Sequence, residues 1–301
     1  MDKAPNLNIE TVSFVPTKVS SFFQLMKPRV MSLVIFTGFT GIYLAPGDLH
    51  PILTFISLLA IAAGAGASGA INQWYDSDID AIMKRTSRRP IPSGEVKPEE
   101  ALAFGVTISI ISVLILSLSA NFLAGGLLAF TIIFYGLIYT VCLKRFTAQN
   151  IVIGGAAGAL PPIIGWAAVT STVGIEPIIL FCLIFFWTPP HFWALAIVKN
   201  DDYKRAKIPM LPVIYGNKET RRQILIYSLI MVFVSFLPSI IGMVKLLYGA
   251  TAGLAGIIFL VLSFQLLKKP SDKRAILLFK YSIIYLFTLF LALICDRAIL
   301  G

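Results

Sequence analysis

The chain has 301 residues, 57% of them hydrophobic and 13% charged, and its mean hydropathy is +0.84. A soluble domain carries about a quarter charged residues, so this balance excludes a soluble enzyme or binding module and leaves no room for a separate water-facing domain. The formal charge of +10 would suggest nucleic acid as a partner of a soluble protein, but here the placement of the charges explains it and no nucleic acid is expected.

Apolar runs of membrane-crossing length, about 20 residues, recur along the chain. In order they predict spanning helices over 22–44, 51–73, 99–118, 121–142, 150–171, 176–198, 221–244, 247–267 and 275–296. The expected fold is all-α, a polytopic membrane protein with nine transmembrane helices around a central cavity. One transmembrane domain covers 22–298 and follows an N-terminal tail, 1–21. Of the 25 Lys and Arg, only Lys245 and Arg297 fall in odd-numbered loops, and Lys280 lies within the last span. All the others lie in the N-terminal segment or the even-numbered loops, which predicts a cytoplasmic N-terminus and an outside C-terminus. The opening "MDKAPNLNIETVSFVPTKVS" has neither the apolar stretch of a signal peptide nor the Arg-rich character of a transit peptide. A bacterial inner (cell) membrane is expected. Cys142, Cys182 and Cys295 show no metal-site spacing and read as small buried apolar residues.

Two even-numbered loops, 74–98 and 199–220, echo each other. The first contains "DSDIDAIMKRTSRRPIPSGE" and the second "KNDDYKRAKIPMLPVIYGN". Each runs from acids through basic residues and paired prolines to a glycine. They follow spans 2 and 6, which predicts two pseudo-repeated four-helix halves plus one helix. Inside the spans, "GAGASGA" at 64–70 and "GGAAGALPPIIG" at 154–165 read as close helix packing. Pro161–Pro162 and Pro189–Pro190 free backbone carbonyls that lipid cannot satisfy, which argues for an interior cavity.

Asn72, Asp76 and Asp80 stand four residues apart at the end of span 2. On a helix each such step turns by about 40°, so the three side chains are expected on one face over roughly 12 Å. Carboxylates at a membrane edge are costly without a cation or a polar cavity, and oxygen donors in a row suit a hard cation such as Mg²⁺. Asp78 falls on another face and reads first as surface solvation, with support of the site as the alternative. Asp201 and Asp202 form a second acidic cluster, with metal ions expected between the two.

Basic residues surround both clusters: Arg85, Arg88 and Arg89 at the first, Lys199, Lys204, Arg205 and Lys207 at the second. Lys144 and Arg145 lie after span 4, and Lys27 and Arg29 open span 1. Any one of them is explained by topology or by contact with anionic membrane lipid. Alternating with carboxylates, they suit a metal-bridged diphosphate, because Arg grips phosphate oxygens as a fork. Arg85, Arg89 and Lys199 are the strongest candidates, joined by Arg29 and Lys144. Tyr203, beside Asp202, is placed to orient a carboxylate or support a carbocation. His191 and Trp187 lie in the aromatic stretch "FFWTPPHFW" at 185–193, a natural surface for a flat aromatic substrate.

The N-x-x-x-D-x-x-x-D segment made by Asn72, Asp76 and Asp80 resembles that of the UbiA superfamily of intramembrane prenyltransferases. "KPRV" at 27–30, "RTSRRP" at 85–90, "GALPPIIGWAAVT" at 158–170, "WTPPHFWALA" at 187–196 and "DYKRAKIPMLP" at 202–212 resemble the branch that prenylates heme. The resemblance implies nine helices around a cavity open to the cytoplasmic side. It implies transfer of a farnesyl group from farnesyl diphosphate to a vinyl carbon of heme B, with Mg²⁺ as cofactor. It also suggests heme A-forming or terminal oxidase assembly partners. On this reading Asn72, Asp76, Asp80 and Asp202 bind metal and, with Tyr203, form the catalytic set. Arg29, Arg85, Arg89, Lys144 and Lys199 bind diphosphate, and His191 and Trp187 bind heme. Other members carry a second D-x-x-x-D; here Lys199 and Tyr203 stand at those aspartate positions, which leaves Asp202 as the safer second-cluster ligand. The alternatives are a superfamily member acting on an aromatic quinone precursor and a non-catalytic heme or lipid transporter.

Overall fold

The structure, a computed structural model, describes residues 18–300. The expected tail, 1–21, lies outside the described residues up to position 17. Among the described residues every regular element is helical.

The first expected span is interrupted. Helix α1 (Lys18–Leu25) ends before Lys27, and α2 (Pro28–Leu44) starts at the proline. Lys27 sits in the left-handed region at φ 54°, and Pro28 supplies no N–H to continue a helix through it. The span predicted from 22 therefore begins at 28. Next come α3 (Pro51–Tyr75), α4 (Ser77–Ile82) and α5 (Pro98–Ser119). Helix α6 (Phe122–Ile133) is capped by Asn121, whose Oδ1 accepts from Ala124 N–H at 2.9 Å. It widens into a π-helical stretch, Phe134–Leu143. Leu160 then separates α7 (Asn150–Ala159) from α8 (Pro161–Thr170). Helix α9 (Ile175–Val198) runs unbroken through Pro189 and Pro190. Short helices α10 (Asn200–Arg205) and α11 (Leu211–Ile214) lead to α12 (Gly216–Ser235), α13 (Leu237–Ile240), α14 (Leu246–Lys268) and α15 (Asp272–Leu300).

Eight helical segments among the described residues are long and apolar enough to cross a membrane, and α2 is a shorter apolar helix of 17 residues. The chain is thus a multi-pass membrane protein, with eight full-length spans and one shorter apolar helix among the described residues where nine full spans were expected. The echo between the two loops has a structural counterpart. Both α3 and α9 pass directly into a six-residue helix with two acids in its first turn.

Close packing follows from small residues. Helices α2 and α8 approach so tightly that a Cβ on Gly41 would lie 2.2 Å from the Pro162 carbonyl oxygen, and one on Gly165 would lie 2.1 Å from that of Gly38. Phe36 stacks on Phe287 at 4.9 Å, fastening α2 to α15. Asp296 of α15 is buried and accepts from the backbone N–H groups of Lys245 (2.6 Å) and Tyr248 (2.8 Å), satisfying the open N-terminus of α14. Asp296→Ala is expected to lower stability by about 1–2 kcal/mol, measured as an earlier unfolding transition in detergent. The cysteines depart from expectation. Cys142 is exposed, and Cys295 and Cys182, the latter packed against the core, are half-buried, so none is the fully buried residue expected.

Candidate active site

The acidic ladder is built on a bend. Helix α3 stops at Tyr75, and Asp76 takes φ −91°, ψ 9° before α4 begins. The four-residue hydrogen-bond spacing survives, with Asp76 N–H on Asn72 O at 3.0 Å and Asp80 N–H on Asp76 O at 2.8 Å. The single continuous helix expected over Asn72–Asp80 is thus two helices, and each acid acquires its own cation. Asn72, Asp76 and Asp80 are 3%, 0% and 2% exposed, so the solvated alternative for them fails.

Lys144 Nζ and Asn72 Nδ2 both donate to Asp76 Oδ2, the latter at 2.7 Å. Asp76 Oδ1 has only Arg145 Nη2 nearby, at 3.6 Å, and is buried without a hydrogen-bond partner. Lys27 Nζ donates to Asn72 Oδ1 at 2.9 Å, and Arg89 Nη1 to Asp80 Oδ2 at 2.6 Å. Arg145 makes a forked pair with Asp78 at 2.8 and 2.9 Å, donates to Tyr75 O at 2.9 Å and lies 4.7 Å from the Tyr75 ring centre. Those hydrogen bonds hold the Asp78 carboxyl below its ordinary pKa and raise that of Arg145. Asp78, expected chiefly to solvate the surface but able to back up the site, is exposed and pairs with Arg145, the neighbour of Lys144.

The second segment closes on the first through Tyr203. Burial pushes the Tyr203 phenol above its ordinary pKa; the charges of Arg85 and Arg89 from the first loop oppose this, and that of neighbouring Asp202 adds to it. Asp202 is buried and paired with Arg205. Lys199 is half-buried at the end of α9, and Arg29 is exposed in the first turn of α2; neither makes an ion pair among the described residues. No group of three His, Cys, Asp or Glu side chains is gathered for a metal among the described residues.

An apolar cavity of about 100 Å³ adjoins the charged cluster, with Lys27 and Tyr135 at its polar end and Met31, Ile61, Leu128 and Ile164 along its walls. His191 and Trp187 do not line it. They pack against α15: the His191 ring stacks on Trp187 at 4.3 Å and on Phe279 at 4.6 Å. Trp187 Nε1 donates to Ser282 O at 2.7 Å. Ser282 gives its one hydroxyl proton to Phe279 O, so the 2.6 Å contact to His191 Nδ1 assigns the proton to Nδ1 and leaves Nε2 its lone pair.

Sequence reasoning placed Lys27 only among neighbouring basic residues and passed over Thr140 and Tyr135. Pro28 was the available signal for Lys27, since it forces the helix to start after the lysine and frees that residue to turn inward. No such signal marked Thr140, because a π-helical turn changes which residues share a face.

Buried oxygen donors, matched cations and an adjoining apolar cavity at the ends of membrane helices equip an intramembrane enzyme for a substrate with an anionic head and an apolar tail. Residues 34–294 match the UbiA prenyltransferase family, and the chain belongs to that family. Among its relatives, the protoheme IX farnesyltransferase of Sinorhizobium fredii (strain NBRC 101917 / NGR234) is 55% identical over 92% of this chain and 89% of its own length. That of Rhizobium meliloti (strain 1021) is 52% identical over 99% and 94%. Of solved structures, a digeranylgeranylglyceryl phosphate synthase matches with a TM-score of 0.78 at 21% identity, covering 93% of this chain and 98% of its own. A UbiA homologue from Archaeoglobus fulgidus bound to DMAPP and Mg²⁺ matches with a TM-score of 0.68 at 16% identity, covering 91% and 99%. These two likenesses concern the fold.

Proposed function

We propose that the protein is a protoheme IX farnesyltransferase, joining the farnesyl group of farnesyl diphosphate to a vinyl carbon of heme B. The observation that carries this reading is Asp76, wholly buried, ringed by Lys144, Arg145 and Asn72, beside an apolar cavity. The identity of the relatives selects heme over a quinone precursor, and the buried charged cluster speaks for an enzyme over a transporter.

The chemistry of the donors suits Mg²⁺, although Asp80 and Asp202 are held by Arg89 and Arg205 and the acids are not gathered around one point among the described residues. Asp76 Oδ1 is a buried carboxylate oxygen with no hydrogen-bond partner, and Asn72, Asp80 and Asp202 are further oxygen donors of the kind a hard cation takes. When bound, Mg²⁺ neutralises charge on the diphosphate leaving group. Lys27, Lys144, Arg85 and Arg89 supply the remaining positive charge, with Arg29 and Lys199 nearer the surface. As the allylic C–O bond breaks, its electron pair leaves with the diphosphate, and these cations stabilise it in place. The vinyl π-electrons of heme B form the new C–C bond. Water then adds to the resulting cation and loses a proton, giving the hydroxyethylfarnesyl heme. The cavity walls keep water from the allylic cation until that bond has formed. Tyr203, a phenol neutral at physiological pH, offers an aromatic ring without competing for the phosphate-binding cations. We read His191, with Nε2 unprotonated, as an iron ligand and Trp187 as a flat surface for heme; both are buried against α15 and outside the cavity, so heme binding requires that packing to open.

The cavity is smaller than the roughly 300–1,000 Å³ of typical ligand pockets, so admitting the isoprenoid requires its flexible walls, Met26 and Met31 among them, to move. We further read 22–298 as one domain in a bacterial cell membrane, with the charged loops and N-terminus cytoplasmic and the C-terminus outside. Heme A-forming or terminal oxidase assembly proteins are the expected partners. The test is product analysis with purified protein, farnesyl diphosphate and Mg²⁺. Heme B should yield heme O and diphosphate, and 4-hydroxybenzoate should yield nothing. Prenylated hydroxybenzoate with unmodified heme would overturn the reading.

A further inference from the structure

The helix that faces Asn72 is wound unusually. From Phe134 to Leu143 it is a π-helix, in which each N–H reaches the carbonyl five residues back. Lys144 N–H meets Tyr139 O at 2.9 Å, and the Thr140 hydroxyl meets Tyr135 O at 2.7 Å. Residues five apart therefore stack, Thr140 over Tyr135 and Lys144 over Tyr139. In an α-helix residues four apart share a face, which would set Thr140 over Gly136 and turn it from the face carrying Tyr135. The wider turn is what allows Thr140 and Lys144 to reach the end of α3 together, Thr140 at Asn72 and Lys144 at Asp76.

Thr140 is fully buried. Its single proton is committed to Tyr135 O, so toward Asn72 its oxygen is an acceptor only. It accepts from Asn72 Nδ2 at 3.1 Å, while the same NH₂ group donates to Asp76 Oδ2 at 2.7 Å. Both amide protons are thereby used on one side, and the amide cannot flip without setting its oxygen against two acceptors. Asn72 Oδ1 is left facing the Lys27 ammonium, on the cavity side.

We propose that Thr140 is a positioning residue for the prenyl transfer: it locks the Asn72 amide so that its oxygen is offered to the metal–diphosphate head, and the π-helical stretch brings it there. This rests on the reading of Asn72 as a metal ligand. The test compares Thr140→Val, which keeps the shape and removes the acceptor, with Thr140→Ser, which keeps the acceptor and removes a methyl group. Binding of Mn²⁺ to the purified protein, with inorganic diphosphate present, is followed by electron paramagnetic resonance. Prenyl transfer is measured in parallel as a function of Mg²⁺ concentration. Thr140→Val should bind Mn²⁺ about tenfold more weakly and require correspondingly more Mg²⁺. Thr140→Ser should stay near wild type on both measures. A packing role predicts the reverse order, and wild-type Mn²⁺ affinity in Thr140→Val, or an equal loss in both variants, overturns the proposal. Should Thr140→Val not fold, Thr140→Ala carries the same expectation. Asn72→Ala separates the two levels. If it binds Mn²⁺ as wild type does, the ligand reading fails and this proposal with it; if it loses binding while Thr140→Val keeps it, only this proposal fails.

Discussion

Asp76→Ala is expected to reduce farnesyl transfer by about 10²–10³-fold, the scale seen when a group that stabilises transition-state charge is removed. Asp76 is the point on which the cluster converges, engaging Asn72 and Lys144 at Oδ2 and lying nearest Arg145 at Oδ1. Its removal strips the site of its most buried anion and leaves cations without their counter-charge. The loss should fall chiefly on kcat, since charge on the leaving group grows as the C–O bond breaks. Asp76→Asn retains the volume but not the charge and should fall as far. Asp78→Ala provides the contrast. Its carboxylate is 64% exposed and pairs with the same Arg145, and surface pairs contribute about 0–1 kcal/mol, so its activity should stay within a few-fold of wild type. Removing one partner of a buried pair costs about 3–5 kcal/mol, so size-exclusion profiles must show each variant folded before rates are compared. Unimpaired heme O synthesis by a folded Asp76→Ala protein would remove Asp76 from the mechanism.

The membrane architecture was legible because hydropathy over about 20 residues is a strong signal. The expected spans at 99–118, 150–171 and 247–267 lie within a residue of the helical segments observed. What the sequence concealed lies where backbone geometry departs from regular winding. Lys27 occupies a left-handed break, Asp76 a bend between helices, and Thr140 a π-helical turn. Periodicity arguments assume one constant rotation per residue, and at each of these positions that rotation changes. Asn72, Asp76 and Asp80 were still found, because their backbone hydrogen bonds keep four-residue spacing through the bend. Arg89, the partner of Asp80, lies nine positions on in the same loop, but Lys27, Thr140 and Lys144, the partners of Asn72 and Asp76, lie 45 to 68 positions away in the chain, and local pattern carries no information about that pairing. His191 shows a further limit. Its sequence setting suggested an aromatic surface, but only the Ser282 and Phe279 contacts from α15 assign its proton.

The largest structural effect is expected from the seam between α2 and α8. A methyl group on Gly165 would sit 2.1 Å from Gly38 O and 3.1 Å from the Ile42 nitrogen, and one on Gly41 would meet the Pro162 carbonyl at 2.2 Å. These neighbours are backbone atoms, which cannot rotate aside as a side chain can, so either substitution must move one helix against the other. Overpacking a well-filled core costs typically about 1–3 kcal/mol, and a rigid partner places Gly165→Ala at the top of that range, with Gly165→Val beyond it. The damage would not stay local. Lys27 lies at the start of α2, and Pro161, the first residue of α8, lines the cavity, so parting the helices displaces the lysine from Asn72 and widens the apolar chamber. Gly126→Ala is the control: nothing lies within 4 Å of its Cβ position, and alanine favours a helix over glycine by roughly 0.5–1 kcal/mol. Thermal unfolding in detergent should therefore shift down by many degrees for Gly165→Ala and stay level or rise for Gly126→Ala. Equal transitions in the two proteins would mean that the seam tolerates a methyl group and that α2 and α8 are held together elsewhere.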